Sequence, residues 1–298
     1  MIRPGAWFGV VGLFAAIGRL HIVAIAALGT FTFGWLFSGA HLFGLAGLTA
    51  LDWFLVNLLN RTVDLQEDRA NGIAGTDFVG RHRRVIVVLG LATLVTSFLI
   101  SHLVAPGLTP FRGAYHLLGL LYNWPILGRR LKELYFIKNT ASALGFLITV
   151  FAYPLATMAW DATRFSSDVT WWTVAFSVAW FFPFEISYEV IYDLRDVEGD
   201  RRAGFRTYPV VHGILQAARI VDVLIALAVG ILLLGYAGGW LPWRFFVMIL
   251  APLMQLPLYR RALRRGISTA FCVGLTWIGA GLLFVYHLWV FFGLPGVR

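Results

Sequence analysis

The stretch NRTVDLQED, residues 60–68, lies between two long apolar segments and carries Asn60, Asp64 and Asp68 four residues apart. Side chains at this spacing stack along one face of an α-helix. Carboxylates stacked in this way repel one another and destabilise the helix unless a cation neutralises them. These three residues, called the first row below, therefore predict a cation site at the end of a helix that emerges from apolar surroundings.

The composition predicts that these apolar surroundings are a membrane. Of 298 residues, 59% are hydrophobic and only 13% are charged, whereas soluble domains carry about 25% charged residues. The aromatic content of 16%, with 12 Trp, suits the aromatic belts at the two faces of a bilayer. The single cysteine, Cys272, cannot form an internal disulfide. We expect an all-α polytopic membrane protein with one domain over residues 1–298.

Nine segments are predicted to be transmembrane helices, each of which needs roughly 20 apolar residues to cross the hydrocarbon core. They are residues 20–38, 41–59, 84–104, 113–123, 138–159, 170–190, 215–237, 242–258 and 269–292. The fourth segment is short, and Pro252 and Pro257 interrupt the eighth. Because nine is an odd number, the two termini are predicted to lie on opposite sides of the membrane.

The basic residues are distributed unevenly between the two sides of this predicted topology. All but four of the 24 Lys and Arg residues fall on one side, and the exceptions are Arg112, Arg164, Arg244 and Arg298. Loops rich in Lys and Arg stay in the cytoplasm, so the N-terminus is predicted to be cytoplasmic. Orientation thereby explains the net charge of +9, and we expect no nucleic-acid partner.

A second acidic row follows the sixth apolar segment. Asp193, Asp196 and Asp200 form this second row, and Glu189 precedes it by four residues. Both rows lie on the predicted cytoplasmic side. Mg²⁺ is usually held by one or two carboxylates together with substrate phosphates, so two facing rows predict a clamp for a metal-bridged diphosphate. The alternative is two solvated helix ends whose acids pair with neighbouring arginines.

Acidic residues also occur inside the apolar segments. Asp52 lies two steps of four residues before Asn60, and Glu185 lies one such step before Glu189. Ionisable groups in membrane segments generally face a bundle interior or an aqueous cavity, because exposure to lipid is costly. We therefore expect Asp52, Glu185 and Glu189 to face inward and to have functional roles.

The two rows resemble the paired aspartate motifs of the UbiA superfamily of intramembrane prenyltransferases. The first row reads N-x3-D-x3-D from residue 60, and the second reads D-x2-D-x3-D from residue 193. The segments DVEGDRRAGFRTYPVVHG, residues 196–213, and YNWP, residues 122–125, resemble two further stretches of that family. The resemblance spans most of the chain.

The resemblance implies a horseshoe of nine helices around a central cavity that opens sideways to lipid. It also implies that the motifs follow the second and sixth helices and act on an isoprenyl diphosphate with Mg²⁺. Two positions depart from the family pattern: Phe205 stands where a Lys is common, and Tyr208 stands where a Leu is common.

The resemblance implies a metal ion at each row, with both ions bridging the substrate diphosphate. The predicted ligands of the first Mg²⁺ are Asn60, Asp64 and Asp68. The predicted ligands of the second Mg²⁺ are Asp193, Asp196 and Asp200. Basic residues near the rows are the candidate diphosphate contacts, and they are Arg129, Arg130, Lys132 and Arg201.

Loss of diphosphate leaves an allylic carbocation, which must be shielded from water and stabilised by ring faces. The aromatic residues close to the motifs are the candidates for this role, and they are Tyr122, Trp124, Tyr188 and Tyr192. A base must then remove a proton, and Asp52 and Glu189 are the candidates.

We predict that the chain transfers a prenyl group from an isoprenyl diphosphate to a lipophilic acceptor within the membrane. It is predicted to be a multi-pass protein of the cytoplasmic membrane, in contact with lipid, with an active site that opens to the cytoplasm. The alternative is a UbiA-type terpene cyclase, which ionises the diphosphate without an acceptor. A cation transporter would place ionisable residues near the midplane and show repeat-like halves, whereas these acids gather at one surface.

Overall fold

The chain is organised as a series of helices joined by short connections. The computed structural model describes Gly12 and residues 15–70, 73–126, 128–293 and 295–296, and no strand occurs among them. In chain order the helices are α1 Leu20–Ser38, α2 Phe43–Val63, α3 Leu65–Ala70, α4 Thr76–Arg81, α5 Arg83–Val104, α6 Thr109–Asn123, α7 Ile137–Thr157, α8 Trp171–Arg202, α9 Tyr208–His212, α10 Ile214–Ala237, α11 Trp243–Phe246, α12 Leu250–Arg265 and α13 Thr269–Phe291.

Seven of these helices in the described part of the chain are long and apolar enough to cross a membrane: α1, α2, α5, α7, α8, α10 and α13. The prediction of an all-helical polytopic membrane protein is therefore confirmed. The fourth predicted segment corresponds to α6, which has 15 residues. The eighth is divided between α11 and α12. The number of membrane crossings and the side of the N-terminus stay predictions.

The helices pack side by side and leave a cavity between them. α1 packs against α2, α7 and α13, and α8 packs against α7 and α10. Side chains of α1, α2, α6, α7, α8 and α13 line a cavity of about 980 Å³. Ligand sites usually measure about 300–1,000 Å³, so this cavity has room for a lipid-like molecule.

The wall of the cavity changes from apolar to acidic along α8. The residues of α8 that line it run from Phe181 through Glu185 and Glu189 to Asp193. These residues are one helical turn apart, so the first and last are separated by about 18 Å. Below, the part of the cavity beside Phe181 is called the aromatic end, and the part beside the two rows is called the acidic end.

The length of α8 explains how one helix serves both ends. It has 32 residues, which correspond to about 48 Å, whereas the hydrocarbon core of a bilayer measures about 30 Å. A capping box fixes its start, where the Thr170 and Thr173 side chains each accept a hydrogen bond from the other residue's backbone N–H. A helix of this length therefore extends past the hydrocarbon core.

Candidate functional site

The first row lies where α2 ends. Asn60 belongs to the last turn of α2, Asp64 caps that helix, and Asp68 lies in α3. The Asp64 N–H donates to the Asn60 carbonyl at 3.1 Å, and the Asp68 N–H donates to the Asp64 carbonyl at 2.8 Å. Helical spacing thus continues across the break between α2 and α3. All three side chains are buried and line the cavity.

The second row lies in the last turns of α8. Asp193, Asp196 and Asp200 line the same cavity as the first row. Asp193 and Asp200 are buried. The structure therefore brings the two predicted rows, far apart in the sequence, to one end of one cavity.

A lysine and an arginine from the segment between α6 and α7 contact the first row. The Lys132 Nζ lies 2.6 Å from the Asp64 Oδ1 and 3.1 Å from the Glu67 Oε2. Behind it, the Arg130 guanidinium lies 2.7 Å from the Glu67 Oε1 and 2.6 Å from the Glu133 Oε1. Lys132 is buried and lines the cavity, so its charge lies at the acidic end.

Lys138, in the first turn of α7, contacts the second row as Lys132 contacts the first. Its Nζ lies 2.7 Å from the Asp193 Oδ1 and 3.1 Å from the Asp200 Oδ2. The neighbouring Asn139 amide donates to the Asp193 Oδ2 at 2.8 Å. Lys138 was not among the diphosphate contacts predicted from the sequence. The available signal was the polar pair Lys138–Asn139 at the start of an otherwise apolar segment.

The ring of Phe205 lies among three of these cations. Its centroid is 5.6 Å from the Arg130 Cζ, 5.8 Å from the Lys132 Nζ and 6.0 Å from the Lys138 Nζ. An aromatic face attracts cations at such distances, whereas a lysine in its place would repel them. Phe205 therefore suits an acidic end in which Lys138 already supplies a cation.

The row carboxylates contact basic groups rather than one another. Arg61 approaches Asp68 at 3.1 Å, and the Arg195 Nε donates to the Asp196 Oδ1 at 2.7 Å. Accordingly, no three Asp, Glu, His or Cys side chains among the described residues converge into a ready-made metal site. The alternative interpretation of two solvated helix ends is not observed, because most of these acids are buried against the cavity, although two of them do pair with arginines.

The donor atoms of the first row nevertheless fit a hard cation. The Asn60 Oδ1 and the Asp68 Oδ2 are buried and accept no hydrogen bond from the described residues. The contact between Arg61 and Asp68 is an ion pair without hydrogen-bond geometry. Unsatisfied buried amide and carboxylate oxygens are the ligand type that Mg²⁺ prefers, so the residues present suit this ion.

The two acids of α3 differ in how their surroundings affect ionisation. Burial raises the pKa of the Asp68 carboxyl above its ordinary value, and the Arg61 charge opposes the shift. Burial acts in the same direction on Glu67, but the charges and hydrogen bonds of Lys132 and Arg130 outweigh it and lower its pKa. A cation that approached Asp68 would favour its ionised form.

The other predicted diphosphate contacts lie away from the cavity. Arg129 is exposed. The Arg201 side chain is 60% exposed and pairs with Glu198 at 3.3 Å. Of the four predicted contacts, Lys132 reaches the cavity wall and Arg130 lies behind it. Lys132 and Lys138 are therefore the lysines that contact the rows in the cavity wall, where Arg61 and Arg195 also lie.

Asp52 is buried in the bundle, but it does not belong to the described wall of the cavity. Its Oδ2 accepts hydrogen bonds from the Arg112 Nε at 3.0 Å and from the Tyr153 hydroxyl at 2.8 Å. Its Oδ1 lies 3.0 Å from the His116 Nε2. This carboxylate is already paired and lies outside the described wall, so the geometry does not favour Asp52 as the base, and that role stays a prediction. The contact between His116 and Asp52 was not predicted from the sequence.

Arg112 requires a correction. The predicted segment 113–123 leaves Arg112 in a loop, whereas it lies inside α6 and is fully buried. Its Nη1 donates to the Ser97 carbonyl at 2.9 Å and to the Ser101 hydroxyl at 2.7 Å, both on α5. Its partner Asp52 lies on α2, and Tyr153 lies on α7. The Asp52–Arg112 pair therefore joins four helices inside the bundle.

The remaining catalytic candidates do line the cavity. Glu189, Tyr122 and Tyr192 all contribute to its wall, as does Tyr188. The Ser142 hydroxyl donates to the Glu189 Oε1 at 2.6 Å. The Tyr192 hydroxyl lies 2.8 Å from the Thr276 Oγ1 on α13. Trp124 ends α6 and does not belong to the described wall.

Solved structures share this architecture. A UbiA homologue from Archaeoglobus fulgidus bound to GPP and Mg²⁺ has a TM-score of 0.71 at 15% identity, covering 93% of this chain and 98% of that chain. An apo UbiA homologue from Aeropyrum pernix K1 has a TM-score of 0.63 at 16% identity, covering 91% and 98%. A digeranylgeranylglyceryl phosphate synthase has a TM-score of 0.55 at 14% identity, covering 93% and 95%. At these identities the likeness concerns the fold.

Sequence comparison gives the family. Among the curated proteins, none matches the chain significantly. The model of the UbiA prenyltransferase family matches residues 13–277, which is most of the chain and includes both rows. The resemblance noted from the two motifs is thereby confirmed, and the chain belongs to the UbiA prenyltransferase family.

Proposed function

We propose that this protein is a Mg²⁺-dependent intramembrane prenyltransferase, which transfers a prenyl group from an isoprenyl diphosphate to a lipophilic acceptor. The observation that carries this proposal is that both acidic rows line one end of a cavity of about 980 Å³ whose other end is aromatic. A prenyl diphosphate has the same polarity pattern, since it joins a charged head to an apolar chain. Family membership and the GPP- and Mg²⁺-bound relative support the same assignment.

Each row would hold one Mg²⁺ ion. The ligands of the first ion are Asn60, Asp64 and Asp68. The ligands of the second ion are Asp193, Asp196 and Asp200. When bound, Mg²⁺ neutralises the diphosphate and makes it a better leaving group. The unsatisfied oxygens of Asn60 and Asp68 support this assignment.

Lys132 and Lys138 would contact the diphosphate. Both ammonium groups lie at the acidic end within 3.1 Å of row carboxylates. A lysine ammonium is a mobile point charge with three donors, so it can turn from a carboxylate to a phosphate oxygen without leaving the site. Arg130, which pairs with Glu67 and Glu133, would add positive charge from behind Lys132.

Aromatic residues would shield the allylic carbocation and hold the prenyl chain. Tyr122 and Tyr192 line the cavity near the rows, and Phe33, Trp180 and Phe181 line its aromatic end. Ring faces stabilise cations, and a water-excluding wall prevents hydrolysis of a reactive intermediate. The apolar end would accommodate the prenyl chain.

Glu189 would act as the base. It lies one turn beyond the second row, about 6 Å from Asp193 along α8, and Ser142 orients its carboxylate. The bond between the prenyl C1 and the diphosphate oxygen breaks, and its electron pair leaves with the diphosphate. The acceptor forms a bond to C1 and loses a proton, which the Glu189 carboxylate takes up.

The orientation proposed here follows the distribution of Lys and Arg. The acidic end would open to the cytoplasm, in the cytoplasmic membrane, with residues 1–298 forming one domain. The acids gather at one end of the cavity, which agrees with a site for a soluble diphosphate head at that surface.

The experiment that tests the proposed function identifies the product. The purified protein in nanodiscs is incubated with prenyl diphosphates of several chain lengths, with and without Mg²⁺, and with extracted membrane lipids as the acceptor source. We expect Mg²⁺-dependent products whose mass is that of the acceptor plus the prenyl group minus one proton. Release of a cyclic hydrocarbon without an acceptor would instead establish a terpene cyclase. Failure to bind or consume any diphosphate would refute both.

A further inference from the structure

Glu185 is buried in the cavity wall, with only 8% of its surface exposed. Among the described residues, none donates a hydrogen bond to its carboxyl group or forms an ion pair with it. The other acidic residues of the wall all have such partners: Asp64 and Glu67 with Lys132, Asp68 with Arg61, Glu189 with Ser142, Asp193 and Asp200 with Lys138, and Asp196 with Arg195.

The position of Glu185 separates it from the diphosphate site. It lies about 6 Å beyond Glu189 and about 12 Å beyond Asp193 along α8. On the same helix, Phe181 and Phe184 precede it and belong to the aromatic core. Glu185 therefore lies between the place where the diphosphate would bind and the aromatic end.

The basic residues of the wall lie elsewhere. Four of them pair with acids at the acidic end: Arg61, Lys132, Lys138 and Arg195. Arg19 precedes α1. Ile25, nearly two turns further along α1, lies against Gly279 near the hydroxyl of Tyr188, which follows Glu185 by three residues on α8. No basic side chain of the described wall therefore accompanies Glu185.

A buried carboxyl group without a partner is costly, and a ligand that supplies a hydrogen-bond donor removes that cost. A hydroxyl or amino group supplies such a donor. A carboxylate or phosphate at the same depth would lack a cationic partner and would lie beside Glu185 and Glu189. The chemistry of this part of the wall thus favours a ligand with a donor group and disfavours an acid.

We infer that Glu185 holds the acceptor through a hydroxyl or amino group, and that the acceptor is a lipophilic molecule without an acidic group. This inference rests on the proposed prenyl transfer. Glu185 positions the acceptor so that its reacting atom faces the prenyl C1. The bond from C1 to the diphosphate oxygen breaks and its electron pair leaves with the diphosphate, the acceptor then forms a bond to C1, and Glu189 takes up the acceptor's proton.

The test uses pairs of acceptors that share one skeleton and differ in charge. Methyl 4-hydroxybenzoate and 4-hydroxybenzoate form one pair, and a long-chain alcohol and its phosphate ester form another. Wild-type protein in nanodiscs receives geranylgeranyl diphosphate, Mg²⁺ and one acceptor, and product formation is measured by mass spectrometry. We expect the neutral member of a pair to be prenylated at least tenfold faster than the acidic member.

Two variants show whether Glu185 sets this preference. Glu185→Gln replaces the carboxyl group by an amide of the same shape, so the preference for the neutral acceptor is expected to fall at least tenfold. Glu198→Gln makes the same chemical change on α8 at a side chain that is 64% exposed, and it is expected to keep the wild-type preference. Binding of geranylgeranyl diphosphate to each variant shows that the protein is folded.

The outcomes separate this inference from the proposed function. Equal or faster prenylation of the acidic members would overturn the inference, as would an unchanged preference in Glu185→Gln. Consumption of the diphosphate without prenylation of any acceptor would also overturn it, because the cavity would then hold no acceptor. If wild-type protein neither binds nor consumes the diphosphate, the proposed function fails and the inference fails with it.

Discussion

Lys138 and Asp193 form an ion pair of 2.7 Å that joins the start of α7 to the second row on α8. Both side chains are largely buried at the acidic end of the cavity, and the lysine also reaches Asp200. The pair therefore places a movable cation among carboxylates that are the proposed metal ligands. A diphosphate bound at this end would accept hydrogen bonds from the Lys138 ammonium.

Replacement of Lys138 should impair use of the diphosphate. We expect Lys138→Met to lower kcat/KM for the prenyl diphosphate by about 100-fold, because removing one partner of a buried pair leaves the other uncompensated. Lys138→Arg should retain more activity, since it keeps the charge. Arg129→Met removes an exposed cation and should change kcat/KM by less than about threefold. Steady-state kinetics would measure all three, and equal losses for Lys138→Met and Arg129→Met would contradict this assignment.

Glu189 should affect turnover more than binding. The variant Glu189→Gln cannot accept the acceptor's proton, so its kcat is expected to fall by about 10²- to 10⁴-fold. The KM for the diphosphate should change little. Ser142→Ala removes one hydrogen bond to Glu189 and should cost about fivefold. A Glu189→Gln variant with wild-type kcat would exclude Glu189 as the base.

The Asp52–Arg112 pair should contribute to stability. Both side chains are fully buried, so Asp52→Leu alone should destabilise the protein by about 3–5 kcal/mol, because Arg112 then remains as an unpaired buried charge. The double variant Asp52→Leu, Arg112→Leu should be less destabilised than either single variant. Thermal unfolding in detergent would measure these differences. Additive losses in the double variant would show that the two residues are not coupled.

The predicted orientation can be tested by labelling single cysteines. The native Cys272 is fully buried, and Cys272→Ser provides a background without thiols. In intact cells, a membrane-impermeant maleimide should label Arg164→Cys, at an exposed position, and should not label Arg202→Cys, which is exposed beyond the second row. Both cysteines should be labelled after the membrane is permeabilised. The reverse pattern would place the acidic end outside the cytoplasm.

Much of the fold could be predicted from the sequence because membrane helices have a strong local signal. Long apolar segments predicted α1, α2, α5, α7, α8, α10 and α13, and the spacing of the acids predicted the two rows. The irregular parts have weaker signals. A π-helical turn at Ile148–Ala152 precedes Pro154, whose missing N–H interrupts regular helical bonding.

The pairing of side chains could not be predicted in the same way. Asp52 and Arg112 meet across 60 positions of sequence, so neither residue's local pattern indicates the other. Asp52, an acid inside an apolar segment, was predicted to be functional. Its buried pairing with Arg112 indicates a structural role instead. Lys138 was missed for the same reason, since its carboxylate partners lie 55 and 62 positions away.

The measurement that tests the central claim most directly follows consumption of radiolabelled geranylgeranyl diphosphate by the purified protein. Wild type would be compared with Asp64→Ala and Asp193→Ala, one from each row, with and without Mg²⁺. We predict Mg²⁺-dependent consumption by wild type and its loss in both variants, because both rows are needed to bind the diphosphate. Variants that consume the diphosphate as fast as wild type would contradict the account.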